Sequence, residues 1–188
     1  MSEMRIPAWQ QDAKTIDEYH FCEMRRGREF LIRIMTGADP CLAIEKFAQE
    51  HGIRFGKVHA TFMGAFQPCK YLVWIPDYAD AENWHREGTA VCENLTMLAS
   101  IGGMIGERPT LDGGEESFVA MHFVAGGAWD AGTIAGHLEK GTIVKGCMQC
   151  FITELLDIDV LVPPDWDPSY GYPENFYYNV NQGKRADY

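Results

Sequence analysis

The sequence lacks a long apolar run and has few basic residues. None of its apolar runs approaches the ~18 to 20 residues that cross a membrane, and residues 1–10 contain no apolar core of a secretion signal. We therefore expect a cytoplasmic protein without a membrane segment. Its 188 residues include 16 Lys and Arg against 27 Asp and Glu, a net charge of -11. Because an acidic surface repels phosphate, this balance disfavours nucleic acid as a partner.

The six cysteines show no disulfide framework. Without a secretion signal they are predicted to be reduced residues of the core or of strands. Cys147-x-x-Cys150 stands alone, whereas a structural zinc ribbon requires a second such pair.

Local signals predict one helix among many strands. Asp39 before Pro40 is typical of a helix N-terminus and Gly52 of its end, so a helix is expected over residues 39–51. We predict an α+β fold, in which this helix packs on a mixed, largely antiparallel β-sheet or a partial barrel. Further strands are predicted at Lys57–Phe66, Tyr71–Ile75, Cys92–Ser100, Ser117–Ala125, Thr133–Leu138 and Cys147–Asp159.

Two segments are predicted to be turns or loops. Arg25-Arg26-Gly27 separates two apolar-alternating runs and indicates the turn of a β-hairpin. The glycine-rich segment 101–106 indicates a loop.

The chain is predicted to form a single domain, 1–188, with a core at 17–162. The segment 163–188 is rich in proline and aromatic residues, among them Trp166, Tyr170 and Tyr172. Because disordered segments are poor in aromatics, this tail is predicted to pack as a strap on its own domain or a neighbouring subunit, or as a substrate lid.

Two histidines are the candidate functional side chains. In the predicted strand 117–125, alternation places His122 on one face with Phe118, Ala120 and Val124. A histidine on such an apolar face is either a hydrogen-bonded core residue or a ligand. His137 follows Gly136, which allows close backbone approach and leaves the imidazole uncovered.

An ordered set of short motifs resembles the plant-and-prokaryote-conserved domain. The resemblance covers about residues 28 to 160. The motifs are Phe30-Leu31-Ile32-Arg33-Ile34-Met35-Thr36-Gly37-Ala38-Asp39, His51-Gly52-Ile53, Met63-Gly64-Ala65, Glu93-Asn94-Leu95-Thr96-Met97, the strand around His122, and Gly136-His137-Leu138.

The resemblance implies a homotrimer, or a dimer of trimers, and a fold related to acetolactate decarboxylase, whose zinc is held by histidines. Many members carry His-x-His on the strand and a third histidine in Gly-Gly-His-Leu. Here Ala120 occupies the first of these positions, so His122 and His137 form an incomplete set for zinc or another divalent metal. His59 and Glu93 are the candidate third ligands, with Cys92 behind them; the alternative is a metal-free site in which the histidines act directly.

The preferred functional hypothesis is a small-molecule enzyme. We expect a carbon–carbon lyase, decarboxylase-like or aldolase-like, that acts on an aromatic or carboxylate substrate in a pocket at a subunit interface. His122, His137, Glu93 and His59 are the candidate catalytic residues. The candidate substrate-binding residues are Ala120, Trp166, Tyr170 and Tyr172. Two alternatives are a DNA-associated regulatory protein and a non-catalytic ligand sensor.

Overall fold

A computed structural model describes residues 22–62, 64–76, 85–109, 114–127, 132–161 and 176–182. In these ranges the chain forms one helix and twelve strands. They are β1 (Arg25–Met35), α1 (Pro40–His51), β2 (Gly56–Phe62), β3 (Ala65–Phe66), β4 (Cys69–Pro76), β5 (His85–Cys92), β6 (Thr96–Pro109), β7 (Glu115–Gly127), β8 (Thr133–Leu138), β9 (Val144–Lys145), β10 (Cys147–Leu156), β11 (Ile158–Leu161) and β12 (Phe176–Asn179).

Ten of these strands build one sheet. Its order is β1-β10-β2-β6-β7-β8-β4-β5, and β3 joins β6 to β9. The pairs β10–β2, β2–β6, β7–β8, β8–β4 and β4–β5 are all antiparallel. The predicted α+β class, with one helix and a largely antiparallel sheet, is therefore confirmed. Within the described residues the sheet is open rather than a closed barrel.

Helix α1 begins and ends where the local signals predict. Asp39 accepts hydrogen bonds from the amides of Cys41 and Leu42, and Gly52 ends the helix in the left-handed conformation. The second carboxylate oxygen of Asp39 accepts from the Gly141 amide at 2.6 Å. One carboxylate thus joins the start of the helix to the segment that follows β8.

The helix packs on the sheet through an apolar core. The fully buried members of this core include Ile44 of the helix and Ile101, Met121, Met148 and Ile152 of the strands. At one margin the guanidinium of Arg28 in β1 donates two hydrogen bonds to the carboxylate of Glu154, at 2.8 and 2.7 Å. It also donates to the last helical carbonyl, that of His51, at 2.9 Å.

The structure corrects two local predictions. Arg25-Arg26-Gly27 is not a hairpin turn, because the three residues lie within β1. Arg25 donates a hydrogen bond to Asp157 at 2.9 Å, a partner far along the chain that sequence spacing does not reveal.

The glycine-rich segment 101–106 is not a loop but the middle of β6. A Cβ on Gly103 would collide with the Ala120 carbonyl, and one on Gly106 would lie 2.7 Å from the Phe118 ring. The glycines therefore allow β6 to lie close against β7.

The chain divides into two compact units. One contains residues 28–106 and 117–154, and the other contains the described parts of 1–27, 107–116 and 155–188. In the second unit β11 pairs with β12, and Asn179 donates a hydrogen bond to the carbonyl of Glu23 at 2.6 Å. The single domain, its core and its strap stay predictions. No helix in the described part of the chain is long and apolar enough to cross a membrane.

Candidate functional site

Strand β7 turns His122 away from the core. Val119, Met121, Phe123 and Ala125 alternate into the main core, whereas Phe118, although buried, is outside that cluster and packs at Gly106. His122 belongs to the alternate, even-numbered set and is exposed. Alternation thus keeps His122 on the face of Phe118, Ala120 and Val124, and on that face its side chain is exposed and does not join the core.

A buried carboxylate of the helix binds the backbone of β7 beside the core-facing residues. Glu45 is 8% exposed and accepts a hydrogen bond from the Val119 amide at 3.3 Å. Its other oxygen lies 2.8 Å from the Lys140 ammonium. Glu45 thus contacts the strand of His122 through one oxygen and the turn that follows β8 through the other.

His122 and His137 lie directly opposite each other in the β7–β8 pair. Their ring centroids are 5.2 Å apart, and the rings are nearly perpendicular. The side chain of His137 is 31% exposed. The two imidazoles therefore form a pair that a small molecule can reach from one face of the sheet.

Gly136 brings the histidine strand close to β4. A Cβ at this position would collide with the Leu72 carbonyl and lie 3.0 Å from the Tyr71 ring. Leu72 is also the register partner of His137. The close approach predicted for this glycine is present, and it fixes the lateral position of His137.

Glu139 adds a carboxylate to the pair. Its Oε1 lies 3.9 Å from Nε2 of His137, and its side chain is 36% exposed. The contact becomes an ion pair only when the imidazole is protonated. Sequence reasoning missed Glu139, although its position two residues after His137 was a usable signal.

The structure does not bring the other candidate residues to this pair. His59 is exposed on β2 opposite Gly102 of β6. Because β6 separates β2 from β7, two strand spacings of roughly 5 Å each divide His59 from the histidine pair. Glu93 lies in the connection between β5 and β6, where its carbonyl accepts from Gln67.

Position 120 does adjoin the pair. Ala120 lies two residues before His122 and is therefore on the same face of β7. The other predicted substrate-binding residues, Trp166, Tyr170 and Tyr172, lie outside the described residues.

An apolar cavity lies further along the same strand. It has a volume of about 410 Å³ and is lined by Leu95, Met97, Leu98 and the glycines at the end of β7, with Ala65 and Ala99. Gly126 is four residues beyond His122, a distance of roughly 13 Å along a strand. The cavity therefore does not enclose the two imidazoles.

The described residues do not complete a metal-binding set. No group of three His, Cys, Asp or Glu side chains among them is arranged to hold an ion. A catalytic zinc site uses three protein ligands, and His122 and His137 supply two.

Comparison with known proteins identifies the family and the fold. The family model described as the Plants and Prokaryotes Conserved domain matches residues 22–156. No curated protein is a significant match.

Solved structures share the fold at low sequence identity. A plant- and prokaryote-conserved protein of Pyrococcus horikoshii is 20% identical with a TM-score of 0.61, over 81% of this chain and 94% of that one. A putative DNA-binding protein of Bacteroides thetaiotaomicron is 18% identical with a TM-score of 0.57, over 82% and 96%. A metal-containing protein of Archaeoglobus fulgidus is 21% identical with a TM-score of 0.55, over 73% and 86%.

Proposed function

The chain belongs to the Plants and Prokaryotes Conserved domain family, and from that premise we propose that it is a small-molecule enzyme, a carbon–carbon lyase of decarboxylase or aldolase type. The observation that carries the proposal is the pair of opposed imidazoles, His122 and His137, accessible on one face of the sheet. Histidine is the side chain whose charge changes nearest neutral pH, so the pair can bind a carboxylate and move a proton.

The proposed chemistry uses the chain's own side chains. Breaking a carbon–carbon bond next to a carbonyl leaves an electron pair that moves onto the carbonyl oxygen. A protonated imidazole of the pair would donate a hydrogen bond to that oxygen, and the second would return a proton to carbon. Glu139, 3.9 Å from His137, would stabilise the protonated form of that ring.

We also propose that the fold is related to that of acetolactate decarboxylase, a relation that implies a zinc ion. The Archaeoglobus relative is described as metal-containing. Because the pair itself provides two imidazoles, and no group of three ligands is arranged to hold an ion among the described residues, no step of this mechanism passes through a metal. The proposed mechanism assigns its steps to His122 and His137 and gives Glu93 and His59 no role in them.

We place the reaction at a subunit interface of a homotrimer or a dimer of trimers. Several large apolar side chains are more than half exposed in the single chain, including Leu31 at 59%, Met35 at 62% and Met97 at 73%. Covering them with another copy would be favourable by roughly 25 cal/mol per Å². The tail from Pro163 is proposed to cross this boundary. Sedimentation showing a monomer would contradict the assembly.

Turnover tests the enzyme proposal. The purified protein would be assayed with 2-hydroxy-2-carboxylates and hydroxymethyl aromatics, alongside His122→Ala, His137→Ala and the control Thr133→Ala, an exposed residue on β8. We expect turnover by the wild type and the control, and a loss of 100-fold or more, a typical acid–base contribution, in both histidine variants. Turnover unaffected by either histidine substitution would refute the proposal. Histidine-dependent binding without turnover would support the ligand-sensor alternative.

A DNA-associated role is the second candidate. It is favoured by the Bacteroides relative, which is described as a putative DNA-binding protein. The net charge of -11 opposes it. Duplex binding near physiological salt, weakening steeply as salt is raised, would place this role first.

A further inference from the structure

Two cysteines face each other across the outermost hairpin of the sheet. Cys69 of β4 and Cys92 of β5 are direct register partners in an antiparallel pair. Residues opposite each other in such a pair have Cα atoms roughly 4.5 to 5.5 Å apart. A disulfide spans Cα separations of about 4.4 to 6.8 Å, so the backbone already has the spacing that the bond requires.

The two thiols differ in how far they are buried, and therefore in how readily a reagent in solution can reach them. Cys69 is fully buried, whereas Cys92 is partly exposed. Burial raises the pKa of the Cys69 thiol to about 12, and the charge of Cys92 adds to this effect. The pKa of Tyr71, two residues along β4, is raised by burial and then by Cys92 and Cys69, so both thiols lie near one ring.

The other described cysteines have no such partner. Each of Cys22, Cys41, Cys147 and Cys150 is a free thiol, and none faces a cysteine in the strand pairs described above. Cys147, for example, accepts a hydrogen bond from Arg33 at 3.1 Å. Within this part of the chain, no third His, Cys, Asp or Glu joins the Cys69–Cys92 pair as a metal ligand.

We propose that Cys69 and Cys92 form a redox-active dithiol that a peroxide converts into a cross-strand disulfide. The Cys92 thiolate attacks one peroxide oxygen, the O–O bond breaks, and after protonation water leaves. The Cys92 sulfenic acid is then attacked by the sulfur of Cys69, which loses its proton, forms the S–S bond and expels a second water. Two thiols lose two hydrogens, and hydrogen peroxide is reduced to water.

The bond would fasten β5, the end strand of the sheet, to β4. It closes a segment of roughly two dozen residues, which restricts the unfolded chain. The thermal midpoint of the oxidised protein is therefore expected to rise by about 5 to 10 °C over the reduced one. This inference does not depend on the lyase proposal, because the thiols lie on the inward side of β4 and take no part in the histidine pair.

Hydrogen peroxide is the probe for the test, applied to the full chain. Peptide mapping without reductant should recover a peptide that joins Cys69 to Cys92, and dithiothreitol should reverse both the link and the midpoint shift. Cys92→Ser should abolish both effects. In Cys69→Ala, Cys92 should accumulate as a sulfenic acid that dimedone traps. The control Cys150→Ala, which removes a buried thiol of β10, should form the link normally.

Three outcomes would overturn the proposal. They are peroxide oxidation of wild-type Cys92 that stops at sulfenic or sulfinic acid, a disulfide that joins other cysteines, and an unchanged thermal midpoint in Cys69–Cys92-linked protein. If Cys69→Ala fails to fold, Cys92→Ser, which changes only a partly exposed residue, still tests the link.

Discussion

Replacing Gly136 with alanine should displace the strand that carries His137. The added Cβ would collide with the carbonyl of Leu72 and approach the Tyr71 ring to 3.0 Å. A carbonyl of a paired strand cannot rotate aside as a side chain can, so β8 must move away from β4. This movement would separate the two register pairs that join the strands, Leu72–His137 and Tyr71–Leu138.

The expected loss of stability in Gly136→Ala follows from the free-energy cost of inserting a carbon atom into a packed contact. Such overpacking typically destabilises by about 1 to 3 kcal/mol. For a protein of this size each kcal/mol lowers the thermal midpoint by roughly 2 to 4 °C, so a fall of about 4 to 8 °C is expected near the centre of that range. Gly132→Ala is the matched control, because its Cβ would meet no atom within 4 Å. Its effect should stay within about 0.5 kcal/mol.

Thermal denaturation of both variants measures the difference in stability, and the histidine ring resonances in an NMR spectrum report the position of His137. We expect Gly136→Ala to lower the midpoint and shift the His137 signals, while Gly132→Ala leaves both near wild type. Equal midpoints for the two variants, with unmoved His137 signals, would refute the reasoning from close approach.

Substitutions at three further positions test the structure. Glu154→Gln should lower the free energy of unfolding at pH 7 by no more than about 1 kcal/mol, because Arg28 exchanges a charged acceptor for a neutral one and solvent screens this half-exposed ion pair. The Arg28 hydrogen bonds lower the pKa of Glu154, so its stabilisation is present above the ordinary carboxyl range and lost as pH falls through the lowered value; denaturant titrations should show wild type and variant converging in acid. Glu45→Ala should cost about 1 to 3 kcal/mol more than Glu45→Gln in the same titrations, because only the amide can still accept from Val119. Ala120→His should raise zinc affinity several-fold or more by calorimetric titration; unchanged affinity would mean that position 120 does not face the histidine pair.

Much of the fold could be predicted from the sequence because its signals are local. The Asp39 cap, the following proline and Gly52 act within one helical turn, and the helix lies where they indicate. The glycine-rich segment of β6 was wrongly predicted to be a loop, because its glycines allow a neighbouring strand to lie close and do not form a turn. Sequence spacing carries no information about which backbone lies alongside.

The candidate site was predictable in part. The residues His122 and His137 could be named from the chain, and the structure sets them opposite each other. Alternation gives the face of His122, but it does not show that the helix packs on the opposite face, with Val119 and Met121, and leaves His122 exposed. The distance of His59 from the pair also could not be predicted, because it depends on the strand order, in which β6 lies between the strand of His59 and the strand of His122.

The carboxylate of Asp39 has a consequence for local opening of the protein. One of its oxygens holds the first helical amides and the other holds the amide of Gly141. Fraying of the first helical turn would therefore release the segment after β8 at the same time. Such shared anchors make two elements open as one cooperative unit. We expect the amide protons of Cys41 and Gly141 to exchange with solvent deuterium at similar free energies of opening, and Asp39→Ala to accelerate both together.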